Sequence, residues 1–150
     1  MCIRDRDQVE TRDNLRVVSD IGSRLPIYCT SQGKVFLAHM SRTSAEALLR
    51  AQHMTQFTPH TITDLTALMQ EIDLCRTDGY AIENGEYKIG LRSISAPVYT
   101  VEGKARYTVG VIGMFRSTRS DEFLAAVEQV CATASMISTA LGYRKTEELL

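Results

Sequence analysis

The sequence predicts an α+β domain, in which antiparallel strands are joined by hairpins and flanked by segregated helices. Three observations support this fold class. Several segments carry apolar residues at helical spacing behind a capping residue. Two alternating segments, Arg92 to Tyr99 and Lys104 to Phe115, flank a short turn, as the strands of a hairpin do. A chain of 150 residues that is 44% hydrophobic is long enough for one domain with its own core.

The first part of the chain predicts a strand, a loop and a short helix. Residues 1–14 are charged and without periodicity, which indicates a disordered or truncated lead-in. Weak alternation from Leu15 to Ser19 predicts a short strand. Gly22 and Pro26 constrain the loop that follows. Thr30 or Ser31 then offers a side-chain oxygen that caps an apolar helix reaching Ala38.

The middle of the chain predicts two further helices and a strand. Ser41 caps a helix through about Arg50, and the segment QFTPHTITD is a loop. Asp64 caps the next helix, which Gly79 ends. A strand starts at Tyr80 to Ile82, and Asn84-Gly85 is a turn dipeptide.

The faces of the hairpin follow from its register. If Glu102-Gly103 forms a two-residue turn, Val101 pairs with Lys104, and cross-strand partners sort by face. One face is apolar and belongs to the core: Ile94, Ala96, Val98, Tyr107, Val109 and Val111. The other is small and partly polar, like a cavity wall: Ser93, Ser95, Gly110 and Ile112.

The last helix has the clearest pattern in the chain. Ser120 caps it, Asp121 and Glu122 suit its positive end, and Gly142 ends it. Its apolar residues recur at spacings of three and four and form a narrow packing seam: Phe123, Val127, Val130, Ala134, Ile137 and Leu141.

Composition limits the function classes. A net charge of −1 leaves no broad basic surface for tracking nucleic-acid phosphates. No apolar run approaches the roughly 20 residues of a membrane span, and the start has no signal-peptide core. Four widely spaced cysteines without a CxxC pair predict reduced thiols in a cytoplasmic protein: Cys2, Cys29, Cys75 and Cys131.

The segment IGSRLPIYCTSQGKVFLA, from Ile21 to Ala38, resembles the signature of the effector-binding domain of IclR-type bacterial transcriptional regulators. Further matches follow in order: TPHTITD, RTDGYAIENGE, GLRSISAPVY and ISTALG. Together these pieces cover roughly residues 15 to 142.

The resemblance implies a GAF/PAS-like fold, with a curved antiparallel sheet, helices on one side and a ligand cavity on the other. It also implies a winged helix-turn-helix ahead of this domain, so the chain reads as a fragment of a regulator. We therefore expect a lead-in over residues 1–14, the effector-binding domain over 15–142 and a C-terminal tail over 143–150.

The family's effector contacts can be carried over position by position. They imply a binding site formed by Val17, Ser31, Gln32, Glu83, Ser93, Gly110 and Ile112. Two positions depart from the family pattern, which often has a small residue in place of Gln32 and Cys or Ala in place of Ser93. No catalytic residue and no cofactor are expected. No metal is expected either, since the three histidines, His39, His53 and His60, lack metal-ligand spacing.

The predicted function is the sensing of a small organic acid, whose anionic end meets the N–H groups near Ser31 to Gly33. As the resemblance implies, the partners are the effector, further copies in a homodimer or tetramer, and DNA only through the missing N-terminal domain. No membrane partner is expected. Two alternatives remain open: a small α+β enzyme using Cys29 or a carboxylate, and a structural dimerisation module.

Overall fold

The computed structural model describes residues 2–4, 6–10, 17 and 21–144. Helices and strands follow in the order β1 Cys2–Arg4, β2 Arg24–Pro26, α1 Ser31–Ala38, α2 Arg42–Arg50, α3 Leu65–Asp78, β3 Ala81–Asn84, β4 Arg92–Tyr99, β5 Ala105–Gly113 and α4 Asp121–Ala140. The strand predicted for Leu15 to Ser19 lies outside the described residues, apart from Val17.

The strands form two antiparallel sheets. β3, β4 and β5 make a sheet in that order, and β1 pairs with β2 in a separate ribbon. In the ribbon Ile3 lies opposite Leu25, so a short strand occupies part of the segment for which a loop was predicted.

The hairpin of β4 and β5 has the predicted register but not the predicted turn. Ser93 lies opposite Ile112, and Ala96 lies opposite Val109. The N–H of Gly103 donates to the carbonyl of Thr100 at 2.8 Å, so three residues form the loop, and Gly103 has a φ of +70°. A register shift between Val98 and Tyr99 absorbs the extra residue. The two-residue turn was therefore wrong, while the pairing of the two strands was right, because a bulge restores the register.

Local capping determines where the helices begin. Each N-cap side chain accepts a hydrogen bond from the N–H three residues later, which satisfies one of the unpaired donors of the first turn. The pairs are Thr30 with Gly33, Ser41 with Ser44, Asp64 with Ala67, and Ser120 with Phe123. The caps Ser41, Asp64 and Ser120 are predicted correctly, and of the two candidates for α1, Thr30 and Ser31, the structure uses Thr30. Gly79, with a φ of +80°, ends α3 as expected.

The sheet is covered by helices on both faces. α4 packs on the face that carries the buried residues Ile94, Ala96 and Val98, and Phe123 belongs to the same core cluster. Tyr107 and Val111 of β5, which were predicted for this core face, are 51% and 43% exposed. α1 covers the opposite face and joins α2 and α3 in a second core cluster. The α+β class with an antiparallel sheet is confirmed. The expectation of helices on one side only was wrong, because two separate apolar surfaces each need a helix to cover them.

α4 is only partly buried. The last two residues of its predicted seam, Ile137 and Leu141, are 37% and 44% exposed, and Ser138 is buried in their place. By length and composition α4 is also the one helix in the described ranges that is long and apolar enough to cross a membrane, contrary to the sequence expectation. A single such helix is weak evidence, because core helices of soluble proteins share this composition.

Candidate ligand-binding site

Three serine hydroxyls join the start of α1 to the sheet. Ser31 Oγ lies 2.8 Å from Ser93 Oγ and 2.8 Å from Ser95 Oγ. Ser93 and Ser95 point to the same face of β4 because side chains alternate along a strand. All three side chains are buried, and each hydroxyl has at least one of the others as a hydrogen-bond partner. We call Ser31, Ser93 and Ser95 the serine cluster.

A buried carboxylate adjoins the serine cluster. Ser93 Oγ donates to Glu83 Oε2 at 3.2 Å, and Glu83 Oε1 accepts from the backbone N–H groups of Glu86 at 2.5 Å and Tyr87 at 3.1 Å. Burial raises the pKa of the Glu83 carboxyl above its ordinary value, and the nearby charge of Glu86 adds to this. The hydrogen bonds to Glu83 oppose the shift.

Two residues of β5 border the serine cluster. Gly110 lies opposite Ser95, and a Cβ at position 110 would lie 2.4 Å from Ser95 Oγ. Only glycine therefore leaves room for the Ser95 hydroxyl. Ile112 lies opposite Ser93 and is 46% exposed, so its side chain is accessible beside the buried cluster.

The remaining predicted site residues differ in how closely they approach the cluster. Ser31 Oγ lies 3.4 Å from Gln32 Oε1, which places Gln32 at the edge of the cluster. Val17 is half-buried, and its carbonyl accepts from Gln8 Nε2 at 3.1 Å. Six of the seven predicted residues thus lie in or beside one cluster, whereas the hydrogen bond described for Val17 is with Gln8.

The first turn of α1 offers two unpaired donors. The N–H of Gly33 bonds to Thr30 Oγ1, and the N–H of Lys34 bonds to the Thr30 carbonyl. The N–H groups of Ser31 and Gln32 have no acceptor in the described part of the chain. The expected anion contact at Gly33 is therefore corrected, because its N–H is already used and the Ile27 carbonyl fills the space where its Cβ would lie.

A buried ion pair lies next to this region. Lys34 Nζ donates to Glu86 Oε1 at 2.6 Å and to the Ile82 carbonyl at 3.2 Å, and both ionic side chains are almost fully buried. Burial raises the pKa of Glu86, while the charge of Lys34 opposes the shift. Charged residues are rarely buried, so the sequence does not predict this pair. One signal was present: Lys34 follows Ser31 by three residues and so lies on the same face of α1.

The polar face of β4 is not the open cavity wall that was predicted. α1 covers it, and the serine cluster closes the contact. A cleft of about 430 Å³ in the described structure lies elsewhere and is lined mainly by α3 and β3.

The chemistry of a thiol enzyme finds no support here. Cys29 is fully buried, and burial raises the pKa of its thiol to about 12, so the nucleophilic thiolate is disfavoured. Cys75 is in the same situation, with a pKa raised to about 11. No group of three or more His, Cys, Asp or Glu side chains in the described ranges is arranged to hold a metal ion.

Comparison with known proteins identifies the family. Residues 6–139 match the family described as bacterial transcriptional regulator IclR C-terminal. The HTH-type transcriptional repressor AllR of Escherichia coli (strain K12) is 29% identical over 137 residues, covering 91% of this chain and 51% of AllR. The chain thus spans about half the length of the curated relatives it matches.

Solved structures give the same result. The repressor BlcR of Agrobacterium tumefaciens is 31% identical with a TM-score of 0.75, over 83% of this chain and 51% of BlcR. The C-terminal domain of the E. coli regulator KdgR is 32% identical with a TM-score of 0.72, over 87% of this chain and 79% of that domain structure. These relatives are transcriptional regulators and not enzymes. The chain belongs to the IclR family of bacterial transcriptional regulators and corresponds to their C-terminal, effector-binding domain.

Proposed function

We propose that this domain senses a small organic acid, which binds between the start of α1 and the sheet. The observation that carries the proposal is the buried serine cluster with Glu83, placed directly beside the two unpaired N–H groups of Ser31 and Gln32. A helix can be packed on a sheet by apolar side chains alone. A buried polar cluster is costly wherever one of its groups lacks a partner. The proposed site comprises Val17, Ser31, Gln32, Glu83, Ser93, Gly110 and Ile112.

The ligand's carboxylate accepts hydrogen bonds from the N–H groups of Ser31 and Gln32, where the positive end of the helix dipole favours an anion. When Glu83 is protonated and donates to Ser93, the Ser93 hydroxyl becomes free to donate to the ligand as well. Ile112 contacts the organic part of the ligand, and Gly110 leaves room for the Ser95 hydroxyl at the edge of the site. Glu83 would repel an anion when ionised, and its raised pKa reduces that repulsion.

Ligand binding separates part of α1 from β4, because the serine cluster leaves no opening in the present structure. The acid replaces hydrogen bonds of Ser31 with its own. Binding therefore favours a second arrangement of α1, and the ligand's different affinities for the two arrangements set the equilibrium between them.

In the longer regulator, this change alters how a DNA-binding helix-turn-helix meets its operator. The sensing domain spans residues 15–142, followed by a tail over 143–150. We place the regulator in the cytoplasm, as a homodimer or tetramer. Exposed apolar side chains on and after β5 favour such self-association: Tyr107, Val111, Ile112 and Met114.

The test compares acids with their amides. Pyruvate and lactate are titrated into the purified chain by calorimetry, alongside pyruvamide and lactamide, and thermal shifts are recorded in parallel. We expect an acid to bind more tightly than its amide, because charge-assisted hydrogen bonds are roughly twice as strong as neutral ones. Ser31→Ala should weaken acid binding by about 0.5–1.5 kcal/mol.

The matched control is Ser135→Ala, on the exposed side of α4. It should bind the acids as the parent chain does. Equal binding of acid and amide, or no binding of either acid, would contradict the organic-acid proposal.

A further inference from the structure

A concave site lies apart from the closed serine cluster. The cleft of about 430 Å³ is lined by residues of α3 and β3, by Lys34 of α1 and by Thr118 after β5. No residue of the proposed effector site lines it. Its walls are both apolar, at Ile62 and Leu74, and acidic.

The acidic side chains outnumber the basic ones in this cleft. Glu71, Asp78 and Glu86 line it together with two basic side chains, Lys34 and His60. Lys34 Nζ lies 2.6 Å from Glu86 Oε1 and 3.5 Å from Glu71 Oε2, so its charge is matched mainly by Glu86. Asp78 has no ion pair among the described residues. The cleft therefore carries excess negative charge.

One buried acceptor in the cleft has no donor. Glu86 is 4% exposed, and its Oε2 is buried without a hydrogen-bond partner in the described part of the chain. Lys34 cannot supply the missing donor, because its ammonium already faces Glu86 Oε1, the Ile82 carbonyl and Glu71. A buried carboxylate oxygen left unpaired is costly, so this position favours an incoming N–H donor.

We propose that this cleft binds a small molecule carrying protonated amino groups, held by Glu86, Glu71 and Asp78. One ammonium donates to the carboxylate of Glu86, and the two rim carboxylates attract a second one. The carbon chain between them packs on Ile62 and Leu74. An ammonium ion suits the site better than a metal ion, because the described residues offer no ligand cluster for a metal.

The test uses the diamine putrescine and its neutral counterpart butanediol, titrated into the chain by calorimetry at constant ionic strength. We expect putrescine to bind at one site and butanediol to give no binding heat. Glu71→Gln combined with Asp78→Asn removes both rim charges at accessible positions, so the fold should persist. This variant should bind putrescine at least about tenfold more weakly.

The matched control neutralises two carboxylates on α4, across the sheet from α1: Glu122→Gln with Glu128→Gln. It changes the net charge equally and should keep the affinity for putrescine. The proposal is overturned if putrescine gives no heat at millimolar concentration, if butanediol binds equally well, or if the cleft variant and the α4 variant lose affinity to the same extent. Pyruvate and lactate titrated against the same variants report separately on the serine cluster, so the two proposed sites can fail independently.

Discussion

At the residue scale, Ser95 depends on a single partner. Its hydroxyl is fully buried, and its one hydrogen bond to a described residue is with Ser31 Oγ. Ser31→Ala leaves this hydroxyl unpaired and should lower the free energy of unfolding by about 1–3 kcal/mol in urea titrations. Adding Ser95→Ala removes the unpaired group, so the double variant should be more stable than the sum of the two single losses predicts. Strict additivity of the two losses would show that the serines are not coupled.

The buried carboxyl of Glu83 should make the free energy of unfolding depend on pH. Its pKa in the folded chain is raised above the ordinary value of 4.5, chiefly by burial. Its contribution to stability is therefore fully present below the unfolded pKa and is lost as pH rises through the folded pKa. Urea unfolding free energies should fall as pH increases from about 4.5 towards neutrality.

Glu83→Gln should flatten this decline without abolishing it, because burial also raises the pKa of Glu86. The pKa of Asp73 is lowered, so this residue affects stability only in a more acidic pH range, below its ordinary pKa of 3.8. The exposed substitution Glu128→Gln should leave the decline unchanged. If Glu83→Gln keeps the full slope, the pKa of Glu83 is not raised by burial as the structure indicates.

At the scale of elements, α4 offers adjacent residues on opposite faces. Phe123 is fully buried and packs edge-on against Phe115, with ring centroids 5.0 Å apart, whereas Leu124 is 50% exposed. Phe123→Ala should cost about 3–5 kcal/mol, because it removes burial and leaves a cavity. Leu124→Ala should cost far less, and urea titrations of both variants provide the comparison. Similar losses would mean that α4 is rotated on the sheet.

The contact between α1 and the preceding loop depends on Gly33. A Cβ at this position would lie 2.0 Å from the Ile27 carbonyl oxygen, so alanine forces backbone atoms apart. In an open helix, Gly→Ala gains up to about 1 kcal/mol. Here we expect a loss of about 1–3 kcal/mol instead, from overpacking. The exposed substitution Gln70→Ala on α3 should change stability by less than about 0.5 kcal/mol, and a stabilised Gly33→Ala variant would contradict the close contact.

At the scale of the whole molecule, Lys34 joins elements that are distant in sequence. From α1 it contacts Glu71 on α3, the Ile82 carbonyl on β3 and Glu86 in the loop after β3. Lys34→Met leaves the Glu86 charge buried and unpaired, and should lower the unfolding free energy by about 3–5 kcal/mol. Combining it with Glu86→Gln should recover part of the loss. No recovery would mean that the unpaired charge of Glu86 is not the source of the loss.

The features that depend on residues close together in the sequence can be predicted from it. The caps Thr30, Ser41, Asp64 and Ser120 bond three residues ahead, so their signals are complete within one turn. The register of β4 and β5 is also predicted, because alternation in both strands constrains it even when the turn is misjudged.

Burial across long separations could not be predicted. Ser31 and Ser95 are 64 positions apart, and no local pattern indicates that α1 would cover the polar face of β4. The pair of Lys34 and Glu86 spans 52 positions and contradicts the usual exposure of charge. The acidic cleft combines residues of separate elements, none of which is unusual in its own segment. Six of the seven residues that the family resemblance proposes for the site lie in or beside the serine cluster, and only the structure shows that this cluster is closed.

The hydrogen bonds of the serine cluster also have a defined donor-to-acceptor order. Ionised Glu83 can only accept, so Ser93 must donate to it; Ser31 then donates to Ser93, and Ser95 donates to Ser31. Every proton in this row points the same way, towards the carboxylate. Protonated Glu83 can donate to Ser93 instead, and all the hydroxyls can then reverse together. Ionised Glu83 thereby fixes a lone pair at the far end of the row, at Ser95, whereas protonated Glu83 allows Ser95 to present a proton there.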